Sequence, residues 1–205
     1  DVRRARRGID TAADAARLAA AGVTHVGLPD GAYPEGLRPL PDPPFGLFAR
    51  GAVPEALSRL ARDPVVAIVG SRRATAAGLA LARALGAALA ERGAVVVSGL
   101  AHGIDAAAHE GALSAGGTTV AVLGCGVDVP YPRRNRALAA RILEEGALLS
   151  EYWPGTPPAP WRFPARNRIV AGLAGAVAVG VAGRRSGALL TAGFAPAPGG
   201  PVVGG

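Results

Sequence analysis

The sequence predicts an α/β protein built on one mainly parallel, doubly wound sheet with helices on both faces, and three observations predict it. Short, nearly continuous apolar runs at 65–69, 94–98, 118–123, 147–150 and 176–181 read as strands buried on both faces. Ala- and Leu-rich stretches of helical character at 74–92, 104–115, 134–145 and 166–173 alternate with them, and another begins near Ser186. Turn sequences, most of them with glycine, mark each passage from strand to helix. Alternation of this kind produces a parallel sheet covered on both sides, and ligands of such Rossmann-like domains sit at the carboxyl ends of the strands.

Ahead of this rhythm the chain is less regular. Arg3-Arg4-Ala5-Arg6-Arg7 and the Ala-rich stretch 11–21 read as a basic tip and a short helix ending at Gly22, and residues 1–22 are expected to be the remnant of an N-terminal segment. Residues 23–63 are expected to form a proline-rich connector with strands at 23–28 and 45–50 that extend the sheet. Residues 64–205 then form the Rossmann-like binding domain. Its last stretch, 196–205, is too rich in Pro and Gly to read as a further βα unit.

At 205 residues the chain can hold one good-sized core. No apolar run approaches the roughly 20 residues of a membrane span, and the start lacks a signal-peptide pattern, so a cytoplasmic protein is expected. The single cysteine, Cys125, fits a reducing compartment. The net charge is +7, and every basic residue other than histidine is arginine. After Glu151 no acidic residue occurs, while Arg162, Arg166, Arg168, Arg184 and Arg185 all do. One-signed clustering points to a polyanion, with nucleic acid ahead of an anionic membrane because no basic amphipathic helix accompanies it.

The strand ends carry the chemistry. Gly70-Ser71-Arg72 offers a close backbone approach, a hydroxyl and a planar guanidinium to a phosphate at the start of a helix. Ser98-Gly99, with Ala101 and Gly103, forms a second anion-binding turn, and Gly124 and Gly126 a third. Phe163, Arg166, Asn167 and Arg168 mix a ring with guanidinium groups, beside Trp161. Arg185, Ser186 and Gly187 make a basic turn with Ser186 as N-cap. NAD is disfavoured, because Gly-x-Gly-x-x-Gly is missing and the second strand ends in Ser98-Gly99 where an acidic ribose partner would stand. His102 and His109 lie near Asp105 and Glu110 without a third ligand, so no metal and no other cofactor is expected. Cys125 has no recognisable base.

Together these motifs resemble the DprA/Smf family of bacterial DNA-processing proteins. The resemblance runs through Tyr33-Pro34, the strand entering Gly70-Ser71-Arg72, Ser98-Gly99 to Ile104-Asp105, Leu123-Gly124-Cys125-Gly126 with Tyr131-Pro132, Phe163-Pro164 to Arg168-Ile169, and Ser186-Gly187 to Thr191-Ala192. It covers roughly residues 23 to 195. It implies an extended Rossmann-like fold that binds and protects single-stranded DNA in natural transformation, helps load the RecA recombinase, forms a homodimer and performs no turnover chemistry. By position it assigns the phosphate motif to Gly70, Ser71 and Arg72, the basic residue before Ser-Gly to Arg185, and the aromatic-basic motif to Phe163, Arg166, Asn167 and Arg168. Two departures stand out: Val179-Gly180-Val181-Ala182 has no acidic residue at the fifth strand end, and a Pro/Gly tail follows Phe194. The alternative is a Rossmann enzyme resembling nucleoside-monophosphate phosphoribohydrolases, whose Pro-Gly-Gly-x-Gly-Thr-x-x-Glu signature is missing.

Overall fold

The computed structural model describes residues 11–129, 131–180 and 202–204. The strands are β1 (Thr24–Gly27), β2 (Gly46–Gly51), β3 (Val65–Gly70), β4 (Val95–Ser98), β5 (Thr119–Leu123), β6 (Ala147–Ser150), β7 (Ala176–Gly180) and β8 (Val202–Gly204). They form one sheet in the order β1-β2-β6-β5-β4-β3-β7-β8. From β6 to β8 every pairing is parallel, and β1 and β2 add an antiparallel border. The helices are α1 (Thr11–Ala20), α2 (Val53–Arg62), α3 (Ala76–Glu91), α4 (Ile104–Ser114), α5 (Arg136–Glu145) and α6 (Arg162–Leu173).

Side chains of a strand alternate between faces, and here both faces are apolar. Val95, Val97, Val120 and Val122 pack with Val53 and Ala56 of α2 and with Ile169, Val170 and Leu173 of α6. On the opposite face Val96 and Ile68 meet Ala82 of α3 and Ala108 of α4, while Ala121, Leu123 and Leu148 meet Leu138 and Ile142 of α5. The sheet is therefore doubly wound, and the ends of β3, β4, β5, β6 and β7 share one edge, as the apolar runs predict.

The connector is pinned to this frame. Tyr33, buried, donates its hydroxyl to the carbonyl of Pro44 at 2.7 Å, and Arg38 lies over its ring at 5.2 Å. Arg168 reaches the same segment, donating from Nε to the carbonyl of Asp42 at 3.0 Å.

Four local expectations change. Helix α2 is additional: Val53-Pro54-Glu55, with proline in the first turn and an acid beside it, is a helix-start signal hidden by the proline-rich surroundings. Helix α6 begins at Arg162 rather than 166, because Pro164 in a first turn loses no hydrogen bond. Helix α3 begins at Ala76, N-capped by the Thr75 hydroxyl that accepts from the Gly78 N–H at 3.1 Å, so it does not start at the Ser71 turn. Strand β8, in the tail expected to add no βα unit, pairs Val202 and Val203 with Val177 and Ala178 of β7.

Candidate nucleic-acid interface

The parallel strands end at a cleft lined by Arg72, Ala101, His102, Tyr131, Phe163 and Arg166, among others. Its floor is an internal charge cluster. Arg166 on α6 is only 5% exposed and lies across the ends of β4 and β5, donating from Nη1 to the carbonyl of Gly99 at 2.8 Å and also to that of Val122. A Cβ on residue 99 would overlap its guanidinium, so Gly99 is small to admit an arginine of the same chain. Asp105, in the first turn of α4, is 6% exposed and accepts from the N–H groups of Gly99 at 3.2 Å and Ala101 at 3.4 Å. Burial pushes its carboxyl above the usual range, opposed by Arg166 and by the N–H groups of Ala101, Gly70 and Gly99. The same desolvation lowers the pKa of Arg166, opposed by Asp105.

His109 lies one turn deeper and is fully buried. The Thr119 hydroxyl donates its one proton to the carbonyl of Val96 at 2.7 Å, so at 2.7 Å from His109 Nδ1 it must accept. The ring is thus the neutral Nδ1–H tautomer, with Nε2 buried and unpartnered. Burial, then Arg166, pushes its pKa down to about 3. Cys125 is also buried, and its thiol is pushed up to about 11 by desolvation. Neither group is poised for nucleophilic or acid–base work at neutral pH. Among the described residues no cluster of three or more His, Cys, Asp or Glu could hold a metal.

The rim is different. Arg72 is exposed, makes no salt bridge among the described residues, and lies over the ring of Phe163 at 5.5 Å. Tyr131 stacks on the same ring at 5.4 Å with 26° between planes and is 40% exposed. Gly124 makes this possible, because a Cβ there would stand 2.9 Å from Phe163 Cδ1. The turn from β4 is held in shape from the other side: Asn135 donates from Nδ2 to the carbonyls of Leu100 at 2.9 Å and Ala101 at 3.3 Å, fixing Leu100 at φ 56°.

Several expected phosphate contacts have other tasks. Gly70 is small because a Cβ would overlap the carbonyl of Gly180 and the side chain of Ile104. Gly103, at φ +83°, lies against the backbone of Ser71 and Arg72, and Gly126 packs on Asp128, Trp153 and Gly155. Ser98 is fully buried and donates to the carbonyl of Ile68 at 2.5 Å. Ser71 accepts from the N–H of Arg73 at 3.0 Å, in a turn that ends before α3. Arg168 is paired with Glu151 at 2.7 Å and with Asp42 at 3.4 Å. Asn167 accepts from Arg166 Nε at 3.2 Å. These geometries correct the expectation that all three glycine turns present free donors: the second is filled by Asp105, and Arg166 and Arg168 spend their charge inside the protein. Trp161, 62% exposed, meets Tyr152 edge-on at 6.2 Å with Arg162 over its ring at 4.9 Å. Arg185, Ser186 and Gly187 lie outside the described residues. Sequence reasoning missed Tyr131 and Asn135 as members of the site. The signal for Tyr131 was its place beyond a strand end, within reach of a second aromatic.

Comparison with known proteins agrees with this architecture. Residues 24–203 match the family model of DNA recombination-mediator protein A. The putative DNA processing protein DprA of Mycobacterium tuberculosis is 50% identical over 79% of this chain and 41% of its own length. DNA processing protein A from Streptococcus pneumoniae superposes with a TM-score of 0.79 at 42% identity, over 90% of this chain and 62% of that one. The protein from Helicobacter pylori, described for its single-stranded DNA binding mode, superposes with a TM-score of 0.78 at 32% identity, over 88% of this chain and 80% of that one. The chain spans about two-fifths of the Mycobacterium and Synechocystis relatives it matches. With the doubly wound sheet, the strand-end motifs and these matches in agreement, the chain belongs to the DprA/Smf family of DNA recombination mediators.

Proposed function

We propose that this chain binds single-stranded DNA in natural transformation and recombination, protecting the incoming strand in the cytoplasm and helping to load RecA, as a homodimer and without turnover chemistry. The observation that carries the reading is the pile of Arg72, Phe163 and Tyr131 at the carboxyl edge of the sheet. An exposed guanidinium meets a phosphate with a forked, charge-assisted contact, and a base extends the pile through Tyr131. Neither element reads base identity. The family membership and the single-stranded DNA binding described for the Helicobacter pylori protein support the same reading. RecA loading and dimerisation rest on the family resemblance alone.

The phosphoribohydrolase alternative needs a carboxylate facing a ribose. Asp105 is turned into the protein onto backbone N–H groups, and Glu151 is paired with Arg168. No observation favours that alternative.

Fluorescence anisotropy with labelled oligo-dT and a duplex of equal length, at two salt concentrations, tests the proposal. The single strand binds more tightly, and Arg72→Ala lowers the slope of log K against log salt by up to about 0.7 if Arg72 meets one phosphate. Equal or tighter binding of blunt duplex would refute it.

A further inference from the structure

A phosphate is held at the end of a parallel strand by the N–H groups of the turn into the next helix. The turn between β4 and α4 has those donors, and they are spent on a carboxylate of the chain itself. Gly99 and Ala101 donate to Asp105 Oδ2 at 3.2 and 3.4 Å. Asp105 is more than nine-tenths buried, as is Arg166, whose guanidinium donates to the carbonyl of the same Gly99 at 2.8 Å.

We infer that Asp105 is a resident anion that closes this cradle to free phosphate, and so selects nucleic-acid strands over free mononucleotides. This rests on the strand-binding reading above. An incoming phosphate would meet a filled space where these two backbone donors converge. What remains for a ligand is on the rim: the Arg72 guanidinium and the Phe163–Tyr131 pile. A mononucleotide can use these once and is held weakly. A strand uses them together with further contacts along its length, which raises its effective concentration at each one.

Emptying the cradle tests the inference. Asp105→Ala removes the carboxylate and leaves the N–H groups of Gly99 and Ala101 facing a void, so a small anion should enter it. Thermal unfolding of Asp105→Ala in chloride buffer is followed as formate, acetate or phosphate is added. For a dissociation constant near 10 mM, 100 mM anion raises Tm by about 3–6 °C, whereas wild type moves by about 1 °C or less. Asp105→Asn, whose amide still fills the cradle, behaves like wild type in this respect. Should Asp105→Ala fail to fold in chloride, recovery of the fold in formate is the same result. The second measurement is dTMP binding, which improves about tenfold or more in Asp105→Ala through the new charge-assisted contacts. Absence of any anion-dependent stabilisation beyond that of Asp105→Asn overturns the resident-anion assignment. Stabilisation by formate without a gain in dTMP affinity overturns the selectivity. The formate series contains no nucleic acid, so its outcome stands apart from that of the oligo-dT titration, in which failure of wild type to bind would remove the strand-binding reading instead.

Discussion

The floor and the rim of the strand-end cleft are built from the same residue type and use it in opposite ways. On the floor, the Arg166 guanidinium is almost wholly buried and bonded to two carbonyls beside Asp105. On the rim, Arg72 is exposed and lies over the Phe163 ring, with no salt bridge among the described residues. A buried charge must be compensated locally because its desolvation is costly, whereas an exposed one stays available to a partner. Arginines near a binding cleft are therefore not interchangeable, and an assay that separates stability from binding should separate these two.

The largest effect is expected on the floor. Arg166→Ala removes the buried guanidinium that holds the carbonyls of Gly99 and Val122 and orphans both, so urea unfolding should show a loss of about 2–6 kcal/mol. Any loss of DNA binding in this variant then follows from the fold. A stable Arg166→Ala protein whose salt slope for oligo-dT is shallower would erase the distinction between floor and rim. Arg72→Ala is the converse. It is expected to cost about 1.5–3 kcal/mol of oligo-dT affinity, typical of a charge-assisted contact, and to leave the unfolding free energy within about 1 kcal/mol of wild type.

A third test reads the floor through His109. Below about pH 6.5 an unfolded chain protonates this imidazole, while the folded chain does not until about pH 3. The unfolded state therefore binds the extra proton, and stability rises with pH across this window and falls as pH is lowered. From pH 7 to pH 5 the contribution lost amounts to roughly 2 kcal/mol. His109→Gln should flatten that part of the profile, and equal slopes for the two proteins would show that His109 is not held neutral.

How far the sequence discloses this cleft follows from what sequence patterns encode. Apolar runs such as Val65–Gly70 encode burial, so the strands, their parallel order and the shared edge were legible. Glycines in turns were legible as close approaches but not as to what approaches: at Gly99 it is Arg166, and at Gly124 it is Phe163. The aromatic-basic motif names Phe163, Arg166 and Arg168 together, yet only the three-dimensional partners divide them. Arg168 is held by Glu151 and Asp42, one from a strand end and one from the distant connector. Asp105 is the hardest case, because a carboxylate next to two histidines suggests a metal or an acid, and only its N–H partners show it to be an internal ligand. Strand β8 escaped because pairing with β7 stabilises a short strand that its Pro- and Gly-rich flanks conceal.

The smallest effect sharpens the rim itself. Tyr131 contributes no charge, and its ring lies nearly parallel to Phe163 on the open side of the cleft. Tyr131→Leu keeps apolar bulk but removes the aromatic face, so oligo-dT affinity should fall by about 0.5–1.5 kcal/mol, the size of one aromatic pairing. Because no phosphate contact is lost, the slope of log K against log salt should match that of wild type, in contrast to Arg72→Ala. A steeper or shallower slope would mean that Tyr131 acts by placing Arg72, through the Phe163 ring they share, and the rim would then be one cooperative unit. An unchanged slope with weaker binding means that stacking and phosphate contact contribute separately, which is what a surface that tolerates any base along a moving strand requires.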